Sequence, residues 1–336
     1  MRYFYSSFFI MTLGFILAFY IGSWQAVYIC FLLCILEISL SFDNAVVNAK
    51  VLSGMDEVWQ RRFIVYGIPV AVFGMRFLFP LLVVSIAAGL GMGETLNLAV
   101  NNPDAYHEAL AENKNQIYIF GGAFLIMVFF DFFFDKERDI YWLKPFEDNA
   151  LIRFLKHVPN IGPIIATFIG LYIISKTGNH LYAIAFFGAI LVHMFIASIN
   201  EMFTVDGVRI GLMGFLYLEI LDASFSFDGV IGAFALSDNI FIIMIGLGIG
   251  AMFVRSITIF LVKKKTLTLF LFLEHGAHYA IFALALMMFI KVFYEVSEII
   301  TGTIGFAFIL VAFLCSIYEN KRRERKLKEV ESKNFD

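Results

Sequence analysis

The chain is 336 residues long and 60% hydrophobic, with a mean hydropathy of +0.83. Soluble domains are about 45–50% apolar, so the composition excludes an ordinary soluble enzyme or binding module and indicates a polytopic helical membrane protein. The net charge is only −3, and the one basic run, Lys321 to Lys326, is short and interrupted by Glu324. That run fits a topogenic or lipid-headgroup role and does not point to nucleic acid as a partner.

Windows of about 20 apolar residues give about ten candidate transmembrane helices in chain order. They lie near 4–22, 25–52, 63–88, 117–134, 161–175, 181–203, 211–236, 239–262, 267–290 and 297–318. The first reads as an uncleaved span, because no small-residue cleavage site follows its apolar run. Segment 89–116, with Glu94, Asp104, Glu108 and Glu112, reads as a long solvated outside loop. Residues 1–134 form a first half and 161–320 a second, joined by a charged cytoplasmic linker at 135–160 and followed by a basic tail at 321–336. One side collects Arg2, Arg61, Arg62, Lys136, Arg138, Lys144, Arg153, Lys156, Arg209, Lys263, Lys264, Lys265 and the tail, while the other has Lys114, Lys176 and Lys291. Lys and Arg accumulate on the cytoplasmic side, so both termini are expected there. Cys30, Cys34 and Cys315 lie in apolar runs without CxxC spacing and read as packing residues.

Two of these spans carry matching acidic stripes. The second span contains Glu37-Ile38-Ser39-Leu40-Ser41-Phe42-Asp43-Asn44, and the seventh contains Glu219 followed by Asp222-Ala223-Ser224-Phe225-Ser226-Phe227-Asp228-Gly229. A carboxylate at bilayer depth costs about 2.5–3.5 kcal/mol on insertion scales, and such residues mark ion or proton pathways. Arg76 in the third span and Arg255 in the eighth lie mid-span in matching positions and are expected to partner these acids. The motif spans are five apart, which makes them antiparallel and predicts an inverted internal repeat. On a regular helix, Glu37, Ser41, Asn44 and Asn48 share a face, as do Glu219, Asp222, Ser226 and Gly229, whereas Asp43 and Asp228 point elsewhere. Ser and Asp favour helix starts, so a discontinuous helix is expected at each motif, with freed carbonyls joining the carboxylates. The oxygen-rich ligand set suits Mg²⁺, Ca²⁺ or Mn²⁺ rather than zinc or copper. In the ninth span, Glu274, His275 and His278 are candidates for ligands, a proton relay or an interhelical hydrogen-bond role. His193 reads as a satisfied packing histidine.

The paired motifs, Glu37 through Asn44 and Glu219 through Asp228, resemble the acidic motifs of the TerC family of integral membrane proteins, within the LysE-like transporter superfamily. The resemblance covers the two motif spans and the Arg-bearing spans after them, and it fades over 89–116, 135–210 and the tail. It implies a multi-pass exporter of Mn²⁺ or other divalent metals in the bacterial inner membrane, connected with tellurium resistance, with no cofactor and no enzymatic activity. Carried over position by position, it assigns Glu37, Asp43, Asn44, Glu219, Asp222 and Asp228 to the metal, with Ser41 and Ser226 in support. Gly229 departs from the family pattern, where a small polar residue is common. Proton coupling at the same carboxylates is compatible with this reading. Three others compete with it. A scaffold or assembly factor would work alongside other membrane proteins, and a purely structural reading would have the acids only fix helix packing. An intramembrane aspartyl hydrolase lacks a Tyr-Asp or Gly-x-Gly-Asp pair at the motifs.

Overall fold

Backbone polar groups in hydrocarbon must be satisfied within their own segment, which favours helices, and a computed structural model of the chain is helical almost throughout. It describes residues 2–333 except 203, 206, 207, 210, 213, 217, 220, 221, 223–228, 230–232, 234, 235, 238, 265–269 and 297. In order, the elements are α1 (Tyr5–Leu40), α2 (Phe42–Ser53), α3 (Glu57–Pro69), a π-helix (Val70–Leu78), α4 (Phe79–Ala88), α5 (Met92–Asn101) and α6 (Pro103–Phe133). There follow α7 (Lys144–Glu147), α8 (Ala150–Lys156), α9 (Ile161–Thr177) and α10 (His180–Met202), then α11 (Ile240–Lys263), α12 (Leu273–Lys291) and α13 (Glu298–Lys333). Between α10 and α11 a two-residue antiparallel ladder pairs Thr204 with Arg209 and Val205 with Val208. Glu219, Asp222, Gly229 and Ala233 are helical.

Among the described residues, 6 helices are long and apolar enough to cross a membrane, or 7 if α8 and α9, bent by 105°, count as one broken span. The protein is therefore a multi-pass, all-helical membrane protein.

α1 is a folded-back pair. Gly22 (φ −150°, ψ 29°) and Ser23 (φ 58°, ψ −155°) interrupt it, and the left-handed φ at Ser23 is uncommon for a residue with a Cβ. Before the break, Ser7 Oγ donates to the Met252 carbonyl at 2.8 Å, and Gly14 faces Ile245 and Ile249. After it, Cys30 Sγ lies 3.4 Å from the Ile242 carbonyl, Leu33 packs on Gly246, and Glu37 and Cys34 pack on Gly250. The first part therefore runs down α11 from Ser256 toward Ile242 and the second runs back up, so the two are antiparallel. The expected boundary between 22 and 25 falls at this turn. Glycines along α11 allow backbones to approach closely, the usual device where lipid removes a hydrophobic driving force between helices.

One expectation is revised. Segment 89–116 is not a solvated loop: it forms α5 and the start of α6, and it buries Thr95, Ala99, Tyr106 and Leu110. Elements distant in the chain pack together, with α1 on α11, and α6 against α10 and α12.

A Cβ on Gly250 would lie 2.5 Å from Glu37 Cβ and 2.9 Å from the Cys34 carbonyl. Gly250→Ala is expected to destabilise the protein by about 1–3 kcal/mol, as overpacking does. Thermal unfolding of the detergent-solubilised variant, read against wild type, checks this.

Candidate functional site

The two motif segments meet around Arg76. This residue sits on the π-helix, a rare geometry often found at functional sites, and it is 2% exposed. Its Nη1 donates to Asp222 Oδ2 at 2.9 Å, and its Nη2 donates to Glu37 Oε1. Ser41 Oγ donates to the same Glu37 oxygen at 2.8 Å, and Asn44 Nδ2 donates to Asp222 Oδ1 at 2.5 Å. Glu37, Ser41, Arg76, Asp222 and Asn44 thus form one connected polar chain. A guanidinium can do this because its donors are fixed in a plane and fork toward two acceptors at once.

The register is antiparallel. Asn44 lies opposite Asp222, while Glu37 lies opposite Gly229, where an added Cβ would sit 3.2 Å from Glu37 Oε2. The departure at Gly229 therefore has a steric reason, since a larger residue would crowd the carboxylate. Farther along the same pair, Leu52, Met55 and Phe63 pack with Leu218, and Gly214 faces Met55.

Beside the bridge lies a cavity of about 20 Å³, lined in part by Asn48, Arg76, Glu219, Asp222, Arg255 and Thr258. That volume has room for about one water-sized species. Glu219 and Asp222, three residues apart, share a helix face. Glu219 is 7% exposed. Among the described residues, Glu219 Oε1, Asn48 Oδ1 and Asn44 Oδ1 are buried without a hydrogen-bond partner. Arg255 does not reproduce the role of Arg76. Its Nη2 donates to the Phe63 carbonyl, its guanidinium stacks 4.0 Å over the Phe63 ring, and a side chain at Gly67 would collide with it.

The other sequence candidates lie elsewhere. Asp43 is buried, accepts from the Asn44 backbone N–H at 2.9 Å, and lines a separate small cavity with Ser39, Leu284 and Thr301. Ser226 and Asp228 lie outside the described residues, as does the expected break at 224–230. At the first motif the helix is interrupted at Ser41 alone (φ −106°, ψ 16°). The Ser41 N–H still reaches the Glu37 carbonyl, and its own carbonyl accepts from Ala45, so the interruption releases little backbone.

Glu274, His275 and His278 do not join the acids around Arg76; they belong to a second cluster on α12. Lys50 at the end of α2 pairs with Glu274 at 2.9 Å, and His278 Nδ1 lies 2.8 Å from the Glu274 carbonyl, its ring stacked on Phe132. His275 Nε2 contacts the Ile140 carbonyl at 2.8 Å. Beside it, Glu147 is fully buried. It accepts from the backbone N–H groups of Leu143 at 3.0 Å and Trp142 at 3.3 Å and from the Tyr279 hydroxyl at 3.0 Å, with Arg138 Nη2 3.3 Å away. The charged linker is therefore docked onto α12. Sequence reasoning missed Glu147, Arg138 and Tyr279, because a buried Glu inside a charged run carries no periodic signal. His193 Nε2 lies 3.2 Å from Asp131 Oδ2, with its ring edge-on to Phe124.

Arg76→Gln strands the buried Glu37 carboxylate and the partly buried Asp222 carboxylate. A loss of about 3–5 kcal/mol is expected, as when one partner of a buried pair is removed. Arg76→Lys should recover only part of it, because an ammonium lacks the planar fork. Thermal unfolding and the yield of monodisperse protein read both effects.

No curated protein and no solved structure matches the chain. A family described as "Protein of unknown function (DUF475)" matches residues 42–323, beginning just after Glu37. The match spans most of the chain, and the protein belongs to this family.

Proposed function

We propose that the protein is a divalent cation exporter, with Mn²⁺ as the favoured substrate. The ion binds at the intramembrane carboxylates between two inverted halves. The observation that carries this reading is the set of unfilled oxygens beside the Arg76 bridge. Glu219 Oε1, Asn48 Oδ1 and Asn44 Oδ1 are buried acceptors without donors among the described residues. An unsatisfied buried acceptor costs about 1–3 kcal/mol, and clustered examples call for an ion or a water. Carboxylate and amide oxygens are the ligands that hard divalent ions prefer.

Arg76 then has a second role. It compensates Glu37 and Asp222 while the site is empty, and an arriving cation competes with it for Asp222. Glu219 and Asn48 provide the first ligands, and Asp222 joins as the guanidinium withdraws toward Glu37. Protons compete for the same carboxylates, which provides a route to exchange of metal for H⁺. The antiparallel register of the motif segments supports an inverted repeat, the architecture in which substrate sites lie at the repeat interface. The ten apolar windows of the sequence, with the turn at Gly22 and Ser23 falling between the first two, support a reading with ten crossings. An even count puts both termini on one side, and the Lys and Arg distribution makes that side cytoplasmic.

The Arg76 bridge by itself would also suit a membrane scaffold, and Glu219 separates the two readings because it stands outside the bridge. In proteoliposomes, Glu219→Gln should lower Mn²⁺ flux by at least roughly tenfold, equivalent to about 1.4 kcal/mol, with thermal stability kept. Asp222→Asn should lose both flux and stability. Flux through Glu219→Gln equal to wild type would overturn the transport site and favour the scaffold.

A further inference from the structure

The chain bends by 105° between α8 and α9. Next to the bend lies a cavity of about 380 Å³ bounded by α6, α9 and α10. It shares no lining residue with the Arg76 site. Its polar groups are of two kinds. Lys136 and Lys156 are basic, and Lys156 is 7% exposed, its ammonium 4.8 Å from the centre of the Tyr141 ring. α9, 17 residues long, starts in the lining, where Asn160 has a left-handed φ of 55° and supplies no side-chain cap. The N–H groups of Ile161 and Gly162, ahead of Pro163, and the positive end of the helix dipole favour an anion. Asp131 is acidic, with a side chain 54% exposed and one oxygen 3.2 Å from His193 Nε2. His193 is 3% exposed, and among the described residues its Nδ1 has no partner.

A simple anion would meet Asp131, and a simple cation would meet the two lysines. A ligand that carries a phosphate and an ammonium a few atoms apart satisfies both. The surroundings add a third requirement. Leu151 and Phe154 on α8, Phe168 on α9 and Phe195 on α10 are exposed apolar side chains on helices that contribute residues to the cavity lining. We propose that this cavity holds the headgroup of a zwitterionic aminophospholipid. The phosphate lies against Lys136, Lys156 and the start of α9, the ammonium lies against Asp131, and the acyl chains run over the exposed apolar side chains. Basic pockets between membrane helices bind phosphate headgroups by the same chemistry, and Asp131 adds selection for the amine. The inference does not depend on the transport reading.

The test uses the full-length protein in detergent and native mass spectrometry. The probes are phosphatidylethanolamine, phosphatidylglycerol and soluble glycerophosphoethanolamine. Wild type should retain phosphatidylethanolamine over phosphatidylglycerol by roughly tenfold, the worth of one charge-assisted hydrogen bond. Asp131→Asn should erase that preference, and Lys136→Ala should weaken retention of both lipids. Both side chains are exposed, so the variants are expected to fold. Equal retention of the two lipids by wild type, retention of neither, or an unchanged preference in Asp131→Asn would overturn the proposal. Glycerophosphoethanolamine bound as tightly as the whole lipid would overturn the membrane source of the headgroup.

Discussion

One guanidinium ties the two motif segments together. Arg76 joins Glu37 from one segment to Asp222 from the other, the first two closed to solvent and the third partly buried. In low-dielectric surroundings such a bridge is stable only when every charge has its counterpart and the remaining donors and acceptors are filled. Ser41 and Asn44 do part of that filling. The rest of the architecture serves the approach. The turn at Gly22 and Ser23 returns the chain along α11, the glycines of α11 let Glu37 settle against Gly250, and Gly229 leaves room for its second oxygen. The π-helix places Arg76 where both acids can reach it.

The two arginines are chemically unequal. Arg76 meets two carboxylates, while Arg255 meets a carbonyl and a ring. Among the described residues Glu219 has no ion pair, although it lines the cavity that both arginines border. An inequality of this kind separates charges that hold the fold from a charge free to meet something else. It is the physical basis for treating Glu219 as the working group and Arg76 as the keystone.

The multi-pass helical character, the acidic stripes and the partner of Arg76 were legible in the sequence. Apolar length, period and the cost of buried charge leave few alternatives for them. The shared face of Glu37, Ser41 and Asn44 follows from 3.6-residue periodicity, and the structure assembles those three around the bridge. Other features depended on tertiary contact. Arg255 looks like a second Arg76 in sequence, but the open space at Gly67 draws it toward Phe63. His275 and His278 look like ligands, yet a docked linker partners His275, while His278 meets the Glu274 carbonyl and the Phe132 ring, and the linker's key residue, Glu147, sits in a run that composition marks as solvated. The helical course of 89–116 was hidden by its acids, of which Glu94, Glu108 and Glu112 are exposed while Thr95 and Tyr106 are buried.

The distance along the chain between the bridge partners bears on biosynthesis. Glu37 and Arg76 leave the ribosome together, but Asp222 follows 146 residues after Arg76. At ordinary synthesis rates that is a wait of about 7–30 seconds. During that time Glu37 and Arg76 form a one-to-one pair, so the early spans can enter lipid as a neutral unit. Asp222 then arrives with Asn44 already in position to receive it. The second acid of the bridge is therefore added late, and Arg255, which borders the same cavity, follows it with the last positive charge of the site.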